Sequence, residues 1–451
     1  MKKIVIVVAI LLISSLILGG CAGPPEEPGV PRVPTMERPS EVNLGVVTCM
    51  TGGAAIQGQQ MALGAQIAVD YINANGGIKN YDGAKLKLFV GDNQSLPDPG
   101  ATETERLITQ EEVVVIMGTN MHSAPTMVQC QKYKTPFLGT CMGAQIDKNF
   151  DWVFRDFLSI EGADDLVFGF VEYCTEKFGE GPKSFGVLNN DGDWGLNTRS
   201  IMRNTVPGHG YEFVYDDIFP FGGVTDFSSY LIKIKAAKPD FFEISMCSPD
   251  HTYFTQQLFD MKIDFPYGLL SLGCACEMED YYATVTPEMV EYMFVHEDCN
   301  IWIKHEPYYD YLNDLVEAEL GVPLDAYMLS GYSGVWDVKD ALERTPYHHT
   351  IGVFRSSLRD ALIETDISEE NCPDRITLPN GATFCPALVR GIERVKFVHG
   401  SEPGSKYWTN PYNHGQISQR INDERIPVYP RFLHPEGKPD IVWPIPSWSE
   451  R

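Results

Sequence analysis

Short apolar runs alternate along most of this 451-residue chain with longer stretches in which apolar positions recur every third or fourth residue. A run of the first kind, bounded by turn residues, reads as a buried strand; the second kind reads as a helix with one buried face. Val42-Asn43-Leu44-Gly45-Val46-Val47 is the first such strand, and after the turn Thr51-Gly52-Gly53 a helix begins near Gln57 with Met61, Ala65, Ala68 and Ile72 on one side. It stops at Asn75-Gly76-Gly77, the glycine signal of a helix C-terminus. Residues 85–91, 113–117 and 136–139 read as further strands, with helices over 101–110 and 123–133. After Trp152-Val153-Phe154-Arg155 the alternation restarts, with helices over 162–178, 196–206, 227–237 and 251–261 and strands over 184–188, 212–215, 241–245 and 267–272.

Alternating strands and helices call for a parallel sheet covered on both faces. The restart calls for a second one. The expected fold is α/β, with two doubly wound parallel-sheet lobes: residues 41–154 plus about 277–345 in the first, 155–276 plus about 346–445 in the second. No short-period repeat of the solenoid kind is present. The segment from Pro373 onward, rich in Pro, Gly and aromatic residues, offers little periodicity to read.

The N-terminus has a different pattern. Lys2 and Lys3 precede the uncharged apolar run 4–18, which is shorter than the roughly 20 residues that span a bilayer. A basic start, an apolar middle and small residues before a cut describe a secretory signal over residues 1–20. The ending Leu18-Gly19-Gly20-Cys21 resembles a lipoprotein signal, and that resemblance implies cleavage before Cys21 and a lipid on its thiol. The alternative is a plain secretory signal in which Cys21 is incidental. Six prolines between Pro24 and Pro39 suit an extended tether over 21–40. The chain is thus expected outside the cytoplasmic membrane, anchored at Cys21.

Charge and cysteines narrow the picture further. A formal net charge of −26 argues against nucleic acid as a partner, because phosphate binding needs concentrated Lys and Arg. Eleven cysteines in an exported chain are free to include disulfides. Cys372 and Cys385 bracket the turn Leu378-Pro379-Asn380-Gly381 and form the expected pair. Cys274-x-Cys276 lacks the second half of a zinc ribbon.

Five segments in order, VDYINANGGI (69–78), LKLFVGDNQSLPDP (86–99), GTNMHSAPT (118–126), NNDGDWG (189–195) and KPDFFEISMCSPD (238–250), resemble the substrate-binding proteins of branched-chain amino-acid ABC importers, the leucine/isoleucine/valine-binding type. The similarity runs from about residue 42 to 345. It implies two lobes joined by crossing strands and closing over a small-molecule ligand, no enzymatic turnover, no cofactor, and ABC permease subunits as partners. Independently, open parallel sheets bind ligands beyond the carboxyl ends of their strands, where helix N-termini offer unpaired N–H groups.

The expected strand ends supply the candidate ligand-binding residues. Ser123 falls at a helix start, where the resemblance implies a serine against a ligand carboxylate; Cys141, Met142 and Gly143 would offer backbone donors, and Trp194 an aromatic face from the other lobe. Gln57 lies where the family often has a pocket residue, His122 adjoins Ser123, and Cys247 ends a second-lobe strand. Ser123 also reads as a simple N-cap, Trp194 as packing between lobes, and His122 as a surface residue. Family members that bind amino acids carry an acid near the end of the last second-lobe strand, and Leu272 stands there. A buried ammonium without a partner costs several kcal/mol, so the ligand lacks the amine unless Glu243, Glu277 or Glu279 serves. Organic acids and amides become candidates alongside amino acids.

Other classes have weaker support. The pairs Cys49-Met50, Cys141-Met142 and Met246-Cys247 are soft donors suited to copper(I), but are equally ordinary apolar residues. Nucleophile-elbow, HExxH, P-loop and Cys-x-x-Cys motifs are absent, and His348-His349 follows a helix end. A sensor that binds the same solute and signals to a membrane kinase would differ from an importer component only in its partner.

Overall fold

The computed structural model describes residues 38–118, 122–247, 249–272, 279–297, 307–321, 323–398, 408–413 and 415–451. The expected signal, the expected lipidation residue Cys21 and most of the expected tether lie outside these residues. Along the first half run β1 (Glu41–Thr48), α1 (Ala55–Ala74), β2 (Lys85–Asp92), α2 (Pro97–Thr109), β3 (Val115–Gly118), α3 (Ala124–Tyr133), β4 (Phe137–Gly139) and β5 (Val153–Arg155). The second series is α4 (Ile160–Phe178), β6 (Ser184–Asn190), α5 (Asp193–Gly208), β7 (Glu212–Phe219), α6 (Ser228–Ala237), β8 (Phe241–Ser245), α7 (Asp250–Asp260) and β9 (Gly268–Leu272). After it come α8 (Glu279–Thr284), α9 (Pro287–Val290), β10 (Phe294–Glu297), α10 (Pro307–Leu320), α11 (Ala326–Arg344) and α12 (Ile351–Ile363). Short strands close the chain: β11 (Asp366–Ser368), β12 (Ile376–Thr377), β13 (Thr383–Phe384), β14 (Arg394–Lys396), β15 (Gln416–Ile421) and β16 (Glu424–Tyr429).

Two large sheets result, as the alternation requires, beside the two-stranded pairs β11-β14 and β12-β13. The first has the order β2-β1-β3-β4-β5, all parallel; the second runs β16-β15-β10-β9-β8-β6-β7, parallel from β7 to β10 and antiparallel through β15 and β16. Counted within each lobe, both parallel parts have the order 2-1-3-4-5. The winding therefore reverses between β1 and β3 in one lobe and between β6 and β8 in the other, the crevices where doubly wound sheets take ligands. Among the described residues no helix is long and apolar enough to cross a membrane.

The lobe boundaries differ from those expected. β10 pairs with β9 and belongs to the second sheet, although 277–345 was assigned to the first lobe. Conversely, α12 and the short strands β11 to β14 pack against the first sheet: Phe354, Leu358, Ile367, Ile376, Phe384 and Val395 share one core with Leu44, Val115 and Phe154. Arg355 of α12, buried, donates to the carbonyls of Ile108 and Val113 and ties the segment down. Cys372 and Cys385 are joined by a disulfide across the β12–β13 hairpin. An apolar pattern records that a face is buried, not which of two cores buries it.

α11 is buried on every side from Ala326 to Leu342 because it lies between α1 and the first sheet. The helices approach so closely that a Cβ on Gly64 would stand 2.0 Å from the Met328 carbonyl oxygen, and one on Gly331 2.0 Å from that of Met61. Two crossings between lobes are hydrogen-bonded side by side: Arg155 N–H donates to the Trp408 carbonyl, and Asn410 N–H to that of Arg155.

Candidate functional site

The loops after β1, β3, β4, β6, β7 and β8 meet at the cleft. After β1 the turn is fixed by Asp92, whose carboxylate accepts from the N–H groups of Met50 (3.0 Å), Thr51 (3.1 Å) and Gln94 (2.8 Å) and from the Thr51 hydroxyl (2.7 Å). Burial works against the charge, but these donors hold Asp92 below the usual carboxylate range. α1 then starts close against the turn: a Cβ on Gly58 would stand 2.0 Å from the Cys49 carbonyl oxygen. Gln57 is buried beside it, one helical turn before Met61.

Ser123 precedes α3 but does not cap it with its side chain. Its hydroxyl accepts from the Ala144 N–H at 3.0 Å and donates to Asp193 Oδ2 at 3.3 Å. The Ala124 N–H, in the first turn of α3, donates to the same Asp193 oxygen at 2.9 Å. Asp193 belongs to the other lobe, at the N-terminus of α5. A carboxylate from the second lobe therefore sits on the helix start of the first. Next to it Gly143 meets Trp194 backbone to backbone, and Asn197 Nδ2 donates to the Gly143 carbonyl at 2.9 Å.

Trp194 is 9% exposed and packs in an apolar cluster drawn from both lobes: Met61, Cys141 and Tyr327 from the first, Phe157 and Leu158 from the crossing, Ile160 and Ala163 from the second. Its ring meets that of Phe157 edge-on at 6.0 Å. Cys247 joins Cys49 and Ala54 in a smaller cluster across the cleft, with Phe221 packed against it. The other named residues lie elsewhere. The Met142 side chain turns back into the first-lobe core with Leu107, Met127 and Phe137. Leu272 lies in the second-lobe core with Val167, Phe185 and Leu270. His122 is half-buried beside Ser123.

Of the acids named for an ammonium, Glu277 lies outside the described residues, as does the side chain of Glu279. Glu243 is buried in the middle of β8, where desolvation and the nearby Asp164 carboxyl push its pKa well above the ordinary value. Both effects disfavour the charge that an ammonium would need. Among the described residues no group of three or more His, Cys, Asp or Glu is placed to hold a metal ion, and burial pushes the Cys49 thiol up to about 11, away from the thiolate that a soft metal needs.

Asp164 itself gives a pH-dependent expectation. Burial raises it to about 7, opposed by a 3.0 Å hydrogen bond from the Thr205 hydroxyl and reinforced by Asp165 and Glu161. A carboxyl raised in the folded state stabilises fully below its unfolded pKa and loses that contribution as pH rises through the folded value. Stability should therefore fall between about pH 4 and pH 7, by at most roughly 4 kcal/mol. Asp164→Asn should melt higher than the native protein at pH 8 and near it at pH 5; equal melting at both would refute the assignment.

Of the residues named from the sequence, the fold brings Ser123, Gly143 and Trp194 together; Asp193, Phe157, Tyr327 and Asn197, which adjoin them, were given no ligand-binding role. Asp193 was visible as a carboxylate in NNDGDWG, yet its partner 70 residues away follows only from the docking of two lobes.

Two parallel sheets with facing switch points and paired crossings define a two-lobed class of α/β protein built around an inter-lobe cleft. The family profile described as periplasmic binding protein matches residues 41–377. The chain belongs to that family. A Leu/Ile/Val-binding protein homologue of Brucella abortus is 24% identical over 344 residues, 73% of this chain and 82% of that relative. The branched-chain amino acid transporter substrate-binding protein LivJ of Streptococcus pneumoniae, solved with isoleucine, is similar at a TM-score of 0.64 and 20% identity, covering 85% of this chain and 97% of LivJ. A solute-binding protein of an ABC transporter from R. palustris, solved with benzoate, is similar at a TM-score of 0.65 and 15% identity, covering 86% and 95%.

Proposed function

We propose that this chain is an extracytoplasmic solute-binding lipoprotein, held at the membrane through Cys21, that captures a small organic ligand between its lobes and delivers it to the permease of an ABC importer. The observation that carries this reading is the mixed cluster around Trp194, in which apolar side chains of both lobes converge on one point beyond the strand ends. A wall assembled from two lobes exists only when they are together. A guest touching both therefore favours the closed form by its differential affinity for it, and the closed form is the surface a permease would recognise. No chemical step is needed.

The ligand classes to test are aliphatic and aromatic carboxylic acids, their amides, and the common amino acids. Calorimetry across these, with mass spectrometry of whatever copurifies, tests the reading; no binding to any of them would remove it. Trp194→Ala should weaken the tightest-binding compound at least tenfold, about 1.4 kcal/mol. Unchanged affinity would place the ligand away from this cluster.

A further inference from the structure

This inference rests on the solute-binding reading and narrows its ligand. The start of α3 offers an anion the Ala124 N–H and the Ser123 hydroxyl, Pro125 having no N–H to add. It is already filled from within the chain by Asp193, which accepts from Ala124 N–H and the Ser123 hydroxyl while α5 carries it across from the other lobe. We propose that Asp193 is a specificity residue: its carboxylate occupies the start of α3, so the closed cleft rejects carboxylate ligands there and admits uncharged, amide-type ones.

A guest carboxylate at this wall would lose the Ala124 and Ser123 donors to Asp193 and face a like charge within a few ångströms, which disfavours ionisation of either. Buried polar atoms without a hydrogen-bond partner in this region include the uncharged Gln57 Nε2, Gln60 Oε1, Thr140 Oγ1 and Trp194 Nε1; Arg155 Nε is the charged exception, on a guanidinium that donates to the Ala144 carbonyl. Gln57 and Gln60 lie on α1 within one turn of Met61, and Met61 touches the Trp194 cluster. Unpaired buried donors and acceptors cost free energy, so a guest that satisfies them is favoured. A carboxamide, which both donates and accepts and carries no charge, matches that set; a carboxylate accepts only.

The test uses matched compounds: isovaleramide, isovalerate and isoamylamine, and benzamide with benzoate. Calorimetry on the native protein should show each bound amide at least tenfold tighter than its carboxylate. Asp193→Ala opens the α3 start and should shift that ratio at least tenfold toward the carboxylate, whereas Asp193→Asn, whose side-chain oxygen still accepts from Ala124, should shift it less. Thermal melts confirm that the variants fold. A native preference for carboxylate or amine, or an amide-to-carboxylate ratio unchanged in Asp193→Ala, overturns the role of Asp193 and leaves solute binding standing. Binding of none of the five by native protein or variant also overturns the proposal; if the wider acid, amide and amino-acid panel fails too, the solute-binding reading falls with it.

Discussion

Replacing Arg390 with Met is expected to destabilise the protein by about 3–5 kcal/mol, the cost of leaving a buried charge without its partner. Arg390 and Asp156 form an ion pair with both side chains fully buried. The guanidinium also donates from Nη1 to the Asp156 carbonyl at 2.5 Å and from Nε to the Ser333 hydroxyl at 2.9 Å, and Asn410 Nδ2 donates to Asp156 Oδ1 at 2.8 Å. Asp337 adds a second acid: burial and the neighbouring Asp156 charge push it well above the ordinary carboxyl range, which disfavours a second negative charge there. Arg390 thus balances one negative charge. Without it Asp156 must either stay charged in an apolar interior or take up a proton. At 2–4 °C per kcal/mol for a lobe of this size, the melting temperature should fall by roughly 10 °C.

The place of this network makes it more than a stability element. Asp156 directly follows β5, in the first crossing, and Asn410 lies in the returning one, so Arg390 fixes the root from which the second lobe moves. Adding Asp156→Asn to Arg390→Met removes the orphaned charge and should recover part of the loss. Calorimetric melts of the native, single and double variants check both statements. A single-variant shift under 2 °C would show that the pair contributes little.

The fold was legible where burial and sequence pattern coincide. β1, β3, β6 and β8 are each almost wholly buried and written in mostly apolar residues, so the alternation with helices identified two parallel sheets. β15 has the same burial but reads Gln-Ile-Ser-Gln-Arg-Ile. Three of its polar residues have specific partners: Gln416 with Glu297, Gln419 with the carbonyls of Tyr292 and Val442, and Arg420 over the Tyr282 ring. No periodicity reveals a strand whose buried positions are polar, and the two antiparallel strands that complete the second sheet went unread. The candidate site divides in the same way. Strand ends and a helix start pointed to Ser123, Gly143 and Trp194, because those depend on local order. The Asp193 contact, the Tyr327 wall from α11 and the placement of α12 depend on how distant segments dock.

Gly143→Val is expected to hold the lobes apart and weaken the tightest-binding compound of the calorimetric panel at least a hundredfold, about 2.7 kcal/mol. A Cβ at Gly143 would stand 2.5 Å from Trp194 N and 2.7 Å from its Cα. Backbone atoms cannot swing aside as the end of a side chain can, so the relief must come from separation of α5 and the loop after β4. That separation stretches the Asn197 bond to Gly143 and the Asp193 bonds to Ser123 and Ala124, which lie on the same line of contact. The three atoms nearest a Cβ at Gly143 all belong to Trp194 of the other lobe. The melting temperature should therefore move by less than about 2 °C while affinity falls, a separation that a folding defect would not produce. Small-angle scattering should give the variant a larger radius of gyration than the native protein, unresponsive to that compound. Gly352→Ala, where a Cβ meets nothing within 4 Å, should match the native protein in both measurements. Native-like affinity in Gly143→Val would mean that the lobes close along some other line, and that Trp194 and Asp193 do not define the bound state.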